Sequence, residues 1–147
     1  MRRALLTAVV ALAVGAVAPA VAGARLVHFQ SPSGRINCIA GTGSPVFVDC
    51  LVRRAAWKQP PPKPLGCDLD WNPYELQLTS HHVAIGACRG DVGPTCRHDC
   101  TTLPYGRSVA LGPIRCRSAV NGVTCRYVRA KLAGFRIARE GYVVWRR

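Results

Sequence analysis

Eight cysteines, Cys38, Cys50, Cys67, Cys88, Cys96, Cys100, Cys116 and Cys125, constrain what a chain of 147 residues can become. An even number spread along a short chain reads as a disulfide framework, which belongs to oxidising compartments. Eight allow about a hundred pairings. Joining nearest neighbours is the simplest: Cys38–Cys50, Cys67–Cys88, Cys96–Cys100 and Cys116–Cys125. Each bridge would add about 2–4 kcal/mol by restricting the unfolded chain. That is a large share of a net stability on the order of 5–15 kcal/mol.

The amino-terminal residues predict export. Met1-Arg2-Arg3 is a short basic start, and Ala4 to Ala18 is an unbroken run of Ala, Leu and Val with one Thr and one Gly. Ala20-Val21-Ala22 and Ala22-Gly23-Ala24 follow as overlapping small-residue cleavage signals. This three-part pattern is that of a secretory signal peptide over residues 1–24, cleaved after Ala22 or Ala24. The apolar run is shorter than the ~20 residues a membrane span prefers, and no second spanning run follows. The expected mature protein is one β-rich, disulfide-bonded domain, residues 25–147, acting in the cell envelope or outside the cell.

The stretch Pro113 to Tyr127 predicts a stapled hairpin. Two β-type runs, Ile114–Arg117 and Val123–Val128, flank the turn signal Asn121-Gly122. With Ala119 to Gly122 as the loop, Ser118 pairs with Val123 and Cys116 falls opposite Cys125. Side chains alternate across a strand. Ile114, Cys116, Val123, Cys125 and Tyr127 therefore share a core side, while Arg115, Arg117, Thr124 and Arg126 share the other.

Similar logic applies elsewhere. Arg35–Ile39 and Val46–Val52 make a second hairpin in which Cys50 can reach Cys38. Val27–Gln30, Tyr74–Thr79, His82–Cys88, Gly134–Arg139 and Tyr142–Trp145 are further strand candidates. Glu75-Leu76-Gln77-Leu78-Thr79 alternates as a half-buried strand does. Trp57 to Pro64 holds four prolines and is expected to cross the surface as polyproline II, with Trp57 packed beneath it. Gly90 to Gly106 is loop by composition, and only Val128 to Ala133 suggests a turn of helix. The expected fold is all-β, a small disulfide-stapled β-barrel or sandwich of short antiparallel strands.

The charge is lopsided. Twenty Lys+Arg against seven Asp+Glu give +13, or +11 once Arg2 and Arg3 leave with the signal. A field of that sign attracts polyanions. In the proposed hairpin Arg115 faces Arg126, and like charges directly opposite cost up to roughly 1 kcal/mol. No acid lies nearby in sequence, so a bound anion would relieve the pair, and guanidinium forks suit phosphate, sulfate and carboxylate. Arg115, Arg117 and Arg126 are the candidate anion-binding residues. Nucleic acid is a weaker candidate than an acidic glycan, a lipid headgroup or a protein partner, because base stacking wants exposed aromatics between the cations and Tyr127 points inward.

Signals for catalysis are sparse. His28, His81, His82 and His98 invite a hydrolase reading, a nuclease with His82 or His98 as acid or base. Adjacent His81 and His82 would point to opposite strand faces. No Gly-x-Ser-x-Gly element occurs, and paired cysteines leave no thiol nucleophile. Asp68 with Asp70 lacks a ring of oxygen ligands. Cys96, His98 and Cys100 match no familiar zinc spacing, and a local disulfide is the stronger reading. No catalytic residue, metal or cofactor is assigned.

Several spaced pieces carry a family resemblance. They are Phe29-Gln30-Ser31-Pro32-Ser33-Gly34-Arg35-Ile36-Asn37-Cys38, Trp57 with the proline run, Asp70-Trp71, Cys88-Arg89-Gly90-Asp91, Leu103-Pro104-Tyr105-Gly106, Gly122-Val123-Thr124-Cys125 and Gly134 to Tyr142. The chain resembles a family of small exported actinobacterial proteins, abundant in mycobacteria and their relatives, known as a domain of unknown function. The resemblance implies export, a β-rich disulfide-bonded domain and no catalytic residues. The family pattern has six cysteines, matching Cys38, Cys50, Cys67, Cys88, Cys116 and Cys125, which makes Cys96 and Cys100 an insertion before Leu103. Ser31-Pro32-Ser33-Gly34 and Leu103-Pro104-Tyr105-Gly106 read as fixed turns. The functional alternative there is a binding pocket around Tyr105 and Trp71. The expected function is non-catalytic binding of an anionic envelope component or partner; the alternative is the small secreted hydrolase.

Overall fold

A computed structural model of the protein describes residues 23, 25–79, 82–96, 99–128 and 133–145. The first sheet contains β1 (Leu26–Gln30), β2 (Ile36–Gly41), β3 (Phe47–Val52), β4 (Asp70–Leu78), β5 (Val83–Arg89) and β6 (Thr101–Thr102), in the order β5-β4-β3-β2-β1-β6. The second contains β7 (Ser108–Leu111), β8 (Ile114–Ala119), β9 (Gly122–Tyr127), β10 (Gly134–Ile137) and β11 (Tyr142–Trp145), in the order β11-β10-β9-β8-β7. Every neighbouring pair is antiparallel except β6 against β1. No helix occurs among the described residues. The fold is an all-β sandwich.

Alternation explains why the two sheets pack. Phe29, Val48 and Leu76 of the first sheet and Ile114, Phe135 and Ile137 of the second are buried in one shared apolar cluster. Burying each such side chain is worth about 1.5–3 kcal/mol. Two disulfides lie within this core. Cys38–Cys50 and Cys116–Cys125 each join directly opposed residues whose Cα atoms are 4.1 Å apart. Cys67–Cys88 ties the proline-rich segment to β5, and Cys96–Cys100 closes a small loop after it. Chains with this many bridges mature in an oxidising, extracytoplasmic setting.

Trp57 is buried in the core cluster. Its ring has centroids 5.3 Å from Tyr74 of the first sheet and 4.7 Å from Tyr142 of the second, and its Nε1 donates to the Ala138 carbonyl at 2.9 Å. Trp71 also engages the proline run, donating from Nε1 to the Pro61 carbonyl at 3.0 Å. Its ring lies against Gly86, which has φ +76°; any Cβ there would run into the indole.

Other differences are local. β4 begins at Asp70, four residues earlier than its alternation suggests, because a register shift between Asn72 and Leu76 lets the strand re-pair with β5. β7 was not foreseen: Ser108-Val109-Ala110-Leu111 offers few strong β-formers, and its pairing with β8 holds it. The β8–β9 ladder continues through Ala119 and Gly122, leaving Val120-Asn121 as a two-residue turn where a four-residue loop was expected. Within Val128 to Ala133, Val128 lies in a turn and residues 129–132 lie outside the described residues. The predicted leader also lies outside them, Gly23 excepted. Among the described residues, no helix is long and apolar enough to cross a membrane.

Candidate anion-binding face

The outward side of the second sheet follows directly from the pairing registers. One row across it reads Val143, Arg136, Thr124, Arg117, Ser108. The next reads Trp145, Gly134, Arg126, Arg115, Ala110. Arg115, Arg117 and Arg126 thus share one face, with Arg115 directly opposite Arg126 and Arg117 opposite Thr124. All three are exposed, while the residues between them, Cys116 and Cys125, are buried. None of the residues in these rows is an acid, and no salt bridge among the described residues engages the four arginines.

Arg136, turned outward between buried Phe135 and Ile137, and Trp145 complete this face, and alternation alone does not find Trp145. Tyr142-Val143-Val144-Trp145 is apolar at every position, so it carries no period-two signal. Only the pairing with β10 turns Trp145 to the Arg side. The Arg126 guanidinium then sits 4.8 Å above the Trp145 ring, a cation–π contact worth about 0.5–1 kcal/mol where exposed. Gly134 makes room for the indole: a Cβ there would lie 2.6 Å from Trp145 Nε1 and 2.7 Å from the Cys125 carbonyl. The aromatic on this face comes from another strand and is half-buried. Between the side chains run two shallow hollows of about 480 and 320 Å³ that share Arg117, Thr124 and Arg126.

A second polar cluster lies under the loop after β5. Glu75 was expected on the open side of a half-buried strand, yet its residue is only 1% exposed and Asp49 only 3%. The loop covers that side: Pro94 is buried, the Cys96 N–H donates to Asn37 Oδ1 at 3.1 Å, and Gly93 packs against Glu75. Arg89 joins the loop to the sheet. It donates to Asp49 at 2.6 Å, to Glu75, and to Asp91 at 3.2 Å. Burial, then the hydrogen bond and charge of Asp49, push the Glu75 carboxyl up to about 9. Burial raises Asp49 as well, against the opposing bonds from Glu75 and Arg89. Glu75 is therefore protonated at neutral pH, and Arg89 faces the carboxylates of Asp49 and of the exposed Asp91. Arg89 thus clasps the loop to the sheet, while buried Asp49 Oδ1 and Arg89 Nε have no hydrogen-bond partner among the described residues.

The remaining candidates disperse. His82 is exposed just before β5, and its carbonyl accepts the Thr79 N–H at 2.9 Å. His81 and His98 lie outside the described residues. Tyr105 does line a pocket of about 120 Å³, but with Ser33, Arg35, Asn121, Arg139 and Glu140; Trp71 is not part of it. Among the described residues no group of three or more His, Cys, Asp or Glu is placed to hold a metal ion.

No curated protein and no solved structure matches the chain. A family model does, over residues 4–145, nearly the full length. The chain belongs to that family, the Family of unknown function (DUF6636).

Proposed function

We propose that this is an exported, non-catalytic binding domain of an actinobacterial cell envelope that holds an anionic component on the outer face of its second sheet. The observation carrying this reading is the set of four arginines, Arg115, Arg117, Arg126 and Arg136, gathered on one face with no acid among them. A solvated basic surface has no reason to place Arg115 opposite Arg126, since the pair repels; a bound carboxylate, sulfate or phosphate removes that cost. The leader pattern of residues 1–24 and the four bridges support export.

The test is retention of the oxidised protein on heparin-like, DNA and envelope-polysaccharide matrices across a salt gradient. Retention on one matrix to distinctly higher salt, lost in the Arg115→Gln/Arg117→Gln variant, is the expected result. Release from all three at one modest salt concentration, unchanged in the variant, would reduce the face to generic charge attraction.

A further inference from the structure

We infer that the arginine face is one stretch of a longer track for a linear, hydroxyl-rich acidic polysaccharide, one end of which enters the pocket at Tyr105. This rests on the anion-binding reading above and adds the polymer class, the direction and the end point.

Continuity is the first observation. The two hollows on the face share Arg117, Thr124 and Arg126, so they form a single furrow along β8 and β9. β9 has six residues, which makes the furrow about 20 Å long at ~3.3 Å per residue. At the hairpin tip the furrow reaches Ala119 and Asn121. Both residues also line the Tyr105 pocket, so the furrow continues round the tip into it.

The pocket is built from turns of both sheets. Ser33 and Arg35 come from the β1–β2 turn, Tyr105 from the turn before β7, and Arg139 and Glu140 from the β10–β11 turn. The first of these is held in place: Ser31 Oγ accepts the Ile36 N–H at 3.1 Å and bonds Ser33 Oγ at 3.1 Å. A volume of about 120 Å³ is the share of about four waters. It accommodates one substituent or ring edge at a chain end.

The chemistry along the track favours sugar over nucleic acid. Neutral hydrogen-bonding groups, those of Ser108, Thr124, Asn121, Ser33 and Tyr105, alternate with the guanidiniums. A polymer with hydroxyls on every unit and acids at intervals uses both. The track has one indole, Trp145, where single-stranded nucleic acid is held by successive aromatic platforms. Glu140, 3.6 Å from Arg139, places a carboxylate in the end pocket that can accept from sugar hydroxyls.

The experiment measures binding of the oxidised full chain to uronic-acid oligosaccharides, from disaccharide to decasaccharide, and to oligothymidylates of matched charge, at one fixed salt concentration. Affinity is expected to rise at least tenfold from disaccharide to hexasaccharide and then level off. Tyr105→Ala, at an exposed side chain, and Arg35→Gln are expected to weaken the octasaccharide several-fold. Equal octasaccharide affinity in those variants, with Arg115→Gln still weakening it, would overturn the track and leave the anion-binding face standing. Tighter binding of the oligothymidylates would overturn the polysaccharide. No binding of either series at low salt would overturn both readings.

Discussion

Asp49 and Arg89, forty positions apart in the chain, meet at 2.6 Å across the outer side of the first sheet. The same guanidinium nitrogen holds Glu75, whose carboxyl is pushed up to about 9 by burial and by Asp49. In the unfolded chain Glu75 returns to its ordinary value of 4.5. Between those values the folded protein keeps a proton that the unfolded chain has released, so stability falls as pH rises. The slope is up to about 1.4 kcal/mol per pH unit, and the raised Asp49 acts in the same direction. Urea midpoints measured with bridges intact are expected to drop from about pH 5 to about pH 9, and Glu75→Gln is expected to flatten the fall. A midpoint that holds constant or climbs over that window would refute the raised Glu75 carboxyl.

Removing the clasp's cation is a sharper perturbation. Arg89→Met leaves the Asp49 carboxylate buried with no guanidinium beside it, which costs about 3–5 kcal/mol for a broken buried pair. Changing Asp49→Asn together with Arg89→Met removes both charges and is expected to recover more than half of that loss. A double variant as unstable as the single one would show that Arg89 acts through its packing on the loop and not through its charge.

These two residues also show where the sequence stops being informative. The core side of each hairpin, the Cys116–Cys125 alignment and the Arg115–Arg126 opposition follow from period-two alternation and a turn signal, because those contacts lie within a few residues of one another. Glu75 sits in an equally clean alternation, and there the rule placed it in solvent. What buries it is a loop of Gly, Pro, Asp and Cys that has no periodicity of its own, so nothing local announced its position. Trp145 was hidden for a different reason: four apolar residues in succession leave the facing of a strand to its neighbour.

Gly134 tests that second point. A Cβ there would come within 2.6 Å of the Trp145 indole and 2.7 Å of the Cys125 carbonyl, so Gly134→Val must move the ring, the strand or both. The expected cost is about 1–3 kcal/mol, as for overpacking, together with weaker retention on the preferred anionic matrix. Trp145→Ala separates the two effects: it is expected to weaken retention with a smaller change in the urea midpoint. Retention unaffected by Trp145→Ala would take the indole out of the binding face.

The opposed arginines make a last prediction in which stability and binding move in opposite directions. Arg115 faces Arg126 across the β8–β9 ladder, and relieving one like-charged pair returns up to roughly 1 kcal/mol. Arg115→Gln keeps Arg126 over Trp145 and keeps an extended polar side chain at the position. The variant is expected to unfold at slightly higher urea than the native protein at low salt, with the difference shrinking as salt screens the pair. It is also expected to bind the anionic ligand several-fold more weakly. A residue kept at a cost to the fold and needed for the ligand is what a binding face predicts; a variant that is less stable and binds equally well would mean that Arg115 serves the sheet and not a ligand.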